Sequence, residues 1–371
     1  MTATATAPAP APTNFRKATQ PTIGVSGSYN QSLTMDTATQ DYPVWLLPPN
    51  NILRGIALEV TATVTGQDTD SVAFNTPDAP LNVFSTVNFT TAGGTSIVGS
   101  FDSFTASVVQ KYGGYARNAD IRSSAAYSTT TGSGGTAGSF TEVFRIPVEI
   151  VSRSGFGGLS NTSTEAPLQL NLVLNTSAAL YSTAPSVLPT VAVKGTLLGY
   201  WAGPSGRATP RNFGTTQFWN QQTYNSLNGA QTYTLQAPPG MGNQHRTWVA
   251  INRTTAGARS SADFPSPLNL TFRGNTLYQL DNLLWVDEMS RVFGYNEAAL
   301  DSAGGLDTGV FVIPFDADFT FMPGSETGNG YLLTANGDPI GFNGEWTAAC
   351  NLYWLVNFLN VVGGQAVGTA N

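Results

Sequence analysis

Two stretches of the sequence decide the fold, because they begin in the same way although they lie far apart. The first is APLNVF at residues 79–84, and the second is SPLNLTF at residues 266–272. In each, a proline leads into alternating apolar and polar residues, which is the pattern of a β-strand with one buried face. A chain that opens a strand twice in the same way is expected to contain the same structural unit twice.

Five further landmarks of the sequence recur in the same order, which supports a repeated unit. Together with the PLN stretches they make six pairs, whose members lie 195, 190, 192, 187, 180 and 167 residues apart in chain order. Because this separation falls along the chain, the second copy is shorter than the first, mainly in its loops. The pairs are Tyr29-Asn30 with Tyr224-Asn225, Pro48-Pro49 with Pro238-Pro239, Arg54 with Arg246, Pro80 with Pro267, Tyr115 with Tyr295, and Ile146-Pro147 with Ile313-Pro314. We predict an extended Ala/Thr/Pro arm at 1–14, a first domain at 15–200 and a second domain at 201–371.

Most of the chain has the pattern of short, half-buried strands. The clearest example is PLQLNLVLN at residues 167–175, which places Leu168, Leu170, Leu172 and Leu174 on one face and polar side chains on the other. Gly, Pro and Asn separate such segments throughout the chain.

Helical spacing is scarce, and it occurs once in each predicted domain. One segment carries Phe101, Phe104, Val108 and Tyr112 and ends at Gly113 and Gly114, and the other carries Leu283, Val286, Met289 and Phe293 between Asp281 and Gly294. This order of elements predicts an all-β fold of two tandem eight-stranded antiparallel jelly-roll sandwiches, each with one inserted helix.

The composition favours permanent contact with other protein chains. Only 11% of the residues are charged, whereas about 25% is usual. The surface must therefore be covered by Thr, Ser, Asn, Gln and Gly, so that few full charges have to be stripped of water when it contacts another chain. The net charge is -7 and the 16 basic residues are scattered, so we expect no direct binding of nucleic acid. We also expect neither a signal peptide nor a membrane span.

The chain offers few groups for catalysis or metal binding. His245 is its single histidine and Cys350 its single cysteine, so a zinc site built from two histidines and a thiolate-rich site are both excluded. We expect His245 to be a satisfied loop residue and Cys350 to be buried. The pair Asp316 and Asp318 is the best catalytic candidate, and it could equally bind calcium or form the polar face of a strand. We predict no catalytic residue, no metal and no cofactor.

The order of these elements resembles that of the double jelly-roll major capsid proteins of tectiviruses, the icosahedral, membrane-containing double-stranded DNA bacteriophages. The likeness covers most of the chain and lies in pattern, not in an invariant motif. The segments that carry it are VWLLPPNNILRGIALEVTATVTG, APLNVFSTVNF, FDSFTASVVQKYGG, FTEVFRIPVEIVSRSGFGGL, APLQLNLVLNTS and RTWVAINRTTAGARSSADFPSPLNLTFRGNT.

This resemblance implies a homotrimer whose six jelly rolls form a pseudo-hexagonal capsomer. Such capsomers would tile an icosahedral virion shell around an internal lipid membrane, so the chain would be made in the cytoplasm of the host bacterium and end in the virion. The implied partners are neighbouring capsomers, a vertex (penton) protein and minor capsid proteins.

The N-terminal segment departs from the family pattern. Members can carry an N-terminal helix directed toward the membrane, but prolines interrupt residues 1–14 and exclude a helix there. Phe15, Arg16 and Lys17 could form a membrane-facing or inter-subunit arm, because an apolar ring lies beside two positive charges. They could equally begin the first strand.

An alternative function is that of a carbohydrate- or receptor-binding jelly-roll protein, such as a virion spike or a lectin. The aromatic residues near the predicted domain junction, Trp201, Phe218, Trp219 and Tyr224, are candidates for stacking against sugars. They could instead pack the two domains together.

Overall fold

The computed structural model describes residues 19–23, 29–49, 51–66, 70–75, 78–113, 120–150, 157–202, 215–235, 244–294, 307–315, 332–333 and 340–361. Within these ranges no helix is both long enough and apolar enough to cross a bilayer. The structure is built almost entirely from strands, as the alternating pattern predicts.

The elements follow one another along the chain with short helices between groups of strands. They are β1 (Thr19–Ile23), β2 (Tyr29–Thr34), β3 (Gln40–Asp41), β4 (Trp45–Leu46), β5 (Asn51–Thr63), β6 (Ala73–Phe74), β7 (Phe84–Thr90), β8 (Ser96–Phe101), α1 (Ser103–Tyr112), β9 (Ser128–Thr129), β10 (Phe140–Pro147), β11 (Leu159–Asn161), β12 (Gln169–Leu174), α2 (Ser177–Leu180), β13 (Tyr181–Thr183), β14 (Thr190–Ala202), β15 (Thr215–Leu235), β16 (Gln244–Thr254), β17 (Leu268–Phe272), β18 (Asn275–Leu280), α3 (Asn282–Phe293), β19 (Val310–Pro314), β20 (Leu332–Leu333) and β21 (Ile340–Val361).

The first half of the chain forms a jelly roll, here called the first roll. In one sheet β1 and β2 pair successively with β14, and the order continues through β5 to β10. In the other sheet the order is β8-β7-β12, and β3 and β4 both pair with β12. The four leucines of residues 168–174 are buried and the residues between them are half-buried. The predicted alternation is therefore confirmed.

The second roll has the same plan, but each of two long strands, β15 and β21, takes the place of two short strands. The first part of β21 pairs with β17, and its last part pairs with β16. β15 follows β21 along nearly its whole length. Together with β18 beside β17 and β19 beside β16, these segments make the eight strands of a second jelly roll.

The two rolls repeat the same strand register. Pro147 of β10 lies opposite Gly55 of β5, and Pro314 of β19 lies opposite Thr247 of β16. The matched Ile-Pro pairs of the sequence therefore occupy equivalent places in the two sandwiches.

The matched arginines, Arg54 and Arg246, are equivalent too. The N–H of Val148, just after the first Ile-Pro pair, donates to the carbonyl of Arg54 at 3.1 Å, and the N–H of Phe315, just after the second, donates to that of Arg246 at 2.9 Å. The PLN stretches also match, since the peptide bonds before Pro80 and Pro267 are both cis.

Both inserted helices are present, and their ends follow from capping. Asp102 caps α1 by accepting from the N–H of Thr105 at 2.7 Å, so the helix begins at Ser103. The expectation that Phe101 belongs to the helix is wrong, because it ends β8. In α3 the predicted cap Asp281 and stop Gly294 are both confirmed, and Gly294 has the left-handed φ of 61° that suits a glycine.

The buried face of α3 differs from the predicted one. Trp285, Met289 and Phe293 are buried, and the indole of Trp285 donates to the carbonyl of Val312 at 2.8 Å. Leu283 was expected on this face, but 83% of it is exposed, and its neighbour Leu284 is 66% exposed. Helical spacing alone does not say which of two apolar stripes meets the sheet.

One carboxyl group faces the core of the first roll. Glu142 of β10 lies between the core residues Phe140 and Phe144 and is 1% exposed. Neither of its side-chain oxygens has a hydrogen-bond partner among the described residues. Burial disfavours its charged form and raises its pKa to about 8.

We expect Glu142 to make the protein less stable as pH rises. The folded state holds a proton that the unfolded chain, with an ordinary carboxyl pKa near ~4.3, releases, so the free energy of unfolding should fall between these values and level off above about 8. Glu142→Gln should flatten this part of the curve and melt at a higher temperature than the unmodified protein at pH 8.5. Thermal unfolding from pH 5 to 9 measures this.

The matched control is Glu59→Gln, because Glu59 is exposed on the neighbouring strand β5. It should retain the pH dependence of the unmodified protein. An unchanged slope in Glu142→Gln would show that Glu142 does not hold the extra proton.

Candidate functional site: the inter-roll interface

The two rolls meet at a buried interface with α1 at its centre. All ten residues of α1 are buried, and β8 of the first roll runs parallel to β15 of the second where Val98 lies opposite Trp219. We call this contact, formed by α1, β8 and the turn at Asp78 against β15, β16 and the turn at Asp307, the inter-roll interface.

One carboxylate of the first roll binds two arginines of the second. The Nε of Arg259 donates to Oδ1 of Asp78 at 2.6 Å, and Nη1 of Arg253 donates to its Oδ2. Both guanidinium groups also lie over the ring of Phe104 in α1, at 4.3 Å for Arg259 and 5.5 Å for Arg253. Charge pairing and cation–π contact therefore act at the same place.

The arginines keep this carboxylate charged although it is buried. Burial alone would raise the pKa of Asp78, but the opposing effects of Arg253 and Arg259 are larger in sum and leave the pKa below its usual value. The site is therefore a set of compensated charges that are removed from water.

A second ion pair joins the end of α1 to the second roll. Nζ of Lys111 donates to Oδ2 of Asp307 at 2.5 Å and to the carbonyl of Gly294 at 3.3 Å. The hydroxyl of Tyr112 donates to the other oxygen of Asp307 at 2.5 Å, and its ring packs edge-on against Phe293 at 5.4 Å. The end of α1 is thus fixed against the end of α3.

A third group of contacts uses backbone carbonyls of the first roll. Nη2 of the buried Arg246 donates to the carbonyl of Gly113 at 2.6 Å, and its Nη1 donates to Oε1 of Gln217 at 3.1 Å. Nε2 of Gln217 donates in turn to the carbonyls of Glu149 at 2.9 Å and Val148 at 3.2 Å. The interface therefore satisfies carbonyls that would otherwise be buried without a partner.

Gly113 has no room for a side chain. A Cβ atom there would lie 2.5 Å from the carbonyl oxygen of Val109 and 3.3 Å from the indole of Trp219. Its φ of -74° is open to any residue, so space, not backbone conformation, selects glycine.

The residues considered for chemistry do not form an active site among those described. His245 lies in strand β16 and not in a loop, so that expectation is wrong; it is buried, its Nδ1 accepts from the indole of Trp248 at 3.2 Å, and desolvation lowers its pKa to about 4. Cys350 is buried, as predicted. Asp316 and Asp318, like Phe15, Arg16 and Lys17 of the arm, lie outside the described residues. In the described part of the chain no three His, Cys, Asp or Glu side chains could hold a metal ion.

Two of the four aromatic residues that are candidates for sugar binding lie inside the molecule. Trp219 and Phe218 are buried, and Phe218 stacks on Phe358. Tyr224 packs edge-on against Tyr233 and Phe342. The side chain of Trp201 lies outside the described residues. A ring that is covered by protein cannot stack on a sugar, so the carbohydrate-binding alternative loses its support at Phe218 and Trp219.

Comparison with known proteins gives matches in structure only. No protein-family model matches the sequence, and no curated protein matches it either. The crystal structure of the STIV MCP is similar with a TM-score of 0.60 and 15% identity, over 90% of this chain and 97% of that one. The atomic structure of Sulfolobus Turreted Icosahedral Virus is similar with a TM-score of 0.58 and 12% identity, over 90% of this chain and 91% of that one. The PBCV-1 virus capsid is similar with a TM-score of 0.56 and 10% identity, over 97% of this chain and 99% of that one.

The chain has the double jelly-roll fold of major capsid proteins. Because the double jelly roll aligns over nine-tenths or more of both chains in each comparison, the likeness includes both rolls and not one sandwich alone. The predicted fold class is confirmed.

Sequence reasoning missed the charged residues that join the two rolls of this double jelly roll. Asp78, Arg253, Arg259 and Asp307 lie in turns and strands without a motif. A usable signal existed at Lys111, which lies three residues after Val108 and therefore beside the apolar stripe of the predicted helix. A lysine in such a helix needs an acidic partner, and the chain has few acidic residues to choose from.

We expect Asp78→Asn to weaken the double jelly roll strongly, because it removes the carboxylate that binds both Arg253 and Arg259 and leaves Asp102, 3.9 Å from Arg253, as the remaining acidic partner of that arginine. The loss in free energy of unfolding should be about 3–5 kcal/mol, measured by urea denaturation. Glu288→Gln is the matched control: it breaks an ion pair with Arg291 on the exposed side of α3 and should leave the midpoint of urea unfolding close to that of the unmodified protein. Equal losses in both variants would contradict a structural role for the buried cluster.

Proposed function

We propose that this chain is a major capsid protein with a structural, non-enzymatic role. Three copies form a pseudo-hexagonal capsomer, and many capsomers tile an icosahedral virion shell. The observation that carries this proposal is the rigid joining of two jelly rolls of matching register by buried ion pairs. Two equivalent units per chain turn a threefold assembly into a six-sided outline, which requires a fixed angle between the units.

The finer parts of the proposal rest on the tectivirus resemblance. We place the arm at 1–14, the first jelly-roll domain at 15–200 and the second at 201–371. Neighbouring capsomers, a vertex (penton) protein and minor capsid proteins are the partners, and the shell surrounds an internal lipid membrane. The protein is made in the host cytoplasm and functions in the virion. The chain's low charge supports contact between capsomers, because few full charges must be dehydrated.

The solution mass tests the capsomer directly. Sedimentation of the purified protein should give a single species close to three times the chain mass of 39.0 kDa, and negative-stain images of that species should show six-sided particles. A monomer at micromolar concentration, with particles of two lobes only, would contradict the proposal.

Contact of the arm with a membrane is tested separately by flotation. Full-length protein should float with vesicles that contain anionic lipid, because Arg16 and Lys17 each contribute about 1 kcal/mol near such a surface. A form without residues 1–17 should float less, and neither form should float with neutral vesicles. Equal flotation of the two forms with anionic vesicles would assign Phe15, Arg16 and Lys17 to contacts between subunits or to the first strand.

A further inference from the structure

The second roll exposes apolar side chains at the place where the first roll is covered. Leu277 and Tyr278 of β18 are 40% and 36% exposed, and Leu283 and Leu284 of α3 are 83% and 66% exposed. We call these four residues the β18–α3 patch. Four large apolar side chains on one adjoining strand and helix mark a surface that another molecule covers.

Each residue of this patch has a counterpart in the first roll. β8 and β18 both have six residues, and each is followed by an aspartate that caps the next helix. Counted from these caps, Leu283 occupies the position of Phe104, and Leu277 occupies the position of Val98.

The counterparts are covered by the second roll of the same chain. Phe104 lies under the guanidinium groups of Arg253 and Arg259, and Val98 lies opposite Trp219 of β15. Both Phe104 and Val98 are buried. The same two positions are therefore buried in one roll and open in the other.

The surface that receives α1 also has an open counterpart. In β16 every residue from His245 to Arg253 is buried, so this strand is covered on both faces. β5 is its equivalent in the first roll, yet Glu59 and Thr61 on its outer face are exposed. Since Gly55 and Thr247 share one register position, Thr61 is the counterpart of Arg253.

We propose that the β18–α3 patch packs against the outer face of β5 in the first roll of a second copy of this chain. This contact repeats between subunits the inter-roll interface that exists within one chain, and it rests on the proposed capsomer. The contact is head-to-tail, because it joins different surfaces of the two copies. A ring of three copies therefore closes if the two rolls of one chain are related by one-sixth of a turn. Thr61 replaces Arg253 at its centre, so the contact lacks a counterpart of the ion pair that Arg253 makes with Asp78 within the chain.

Leu283→Asp tests the patch. The side chain is open in a single copy, so the variant should melt at the temperature of an isolated subunit and sediment as a monomer at concentrations where the unmodified protein is trimeric. Leu46→Asp is the matched control, because Leu46 is 56% exposed in β4, which pairs with β12 in the other sheet of the first roll. It should remain trimeric.

Cross-linking tests the receiving face. A chain with both Thr61→Cys and Leu283→Cys should give covalent dimers and trimers with a short bis-maleimide, and a chain with Leu46→Cys and Leu283→Cys should not. Cys350 is buried and remains in both. If Leu283→Asp is monomeric but residues 61 and 283 do not cross-link, β5 is not the partner surface and the inference is wrong.

The outcomes separate this inference from the proposed function. If the unmodified protein is a monomer, the capsomer fails and the contact between copies fails with it. If the unmodified protein is a trimer while Leu283→Asp is also a trimer and no cross-link forms, only the inference is overturned. The capsomer then uses another surface.

Discussion

A buried carboxylate that is shared by two arginines fixes the relation of the two jelly rolls. Asp78 belongs to the first roll, and Arg253 and Arg259 belong to the second. Dehydrating three charges is costly and is offset only when their geometry is close to ideal, so small rotations of one roll against the other are penalised steeply. An apolar contact of the same area would tolerate sliding. The ionic contact defines an angle, and a six-sided outline depends on that angle.

The sequence predicts each sandwich better than it predicts their junction. Alternation in residues 168–174 correctly assigns the buried face of β12, and Asp281 and Gly294 correctly mark the ends of α3. Both signals are local, since they depend on residues within one element. Asp78 and Arg253 lie 175 residues apart, and nothing near either residue indicates the other. The error at Leu283 has a related cause, because periodicity finds an apolar stripe but not the surface that covers it.

Several of the basic residues are buried, so they contribute no charge to the outer surface. The chain has 16 basic residues, and among those that the structure describes six are buried: Arg54, Lys111, Arg122, Arg246, Arg253 and Arg259. Ion pairs or carbonyl groups inside the molecule bind them. The outer surface is therefore poorer in positive charge than the composition indicates, and even less suited to a polyanion.

The long strand β21 has a consequence for the order of events during synthesis. It pairs with β15, β16 and β17, all of which leave the ribosome before it does. The second roll therefore cannot close until β21 has emerged, whereas the strands of the first roll are complete at Ala202. In that interval Phe104 and Lys111 lack the residues of the second roll that cover them, and exposed apolar surface of this kind makes unfinished chains prone to aggregate. Rapid elongation across residues 203–361 shortens this vulnerable period.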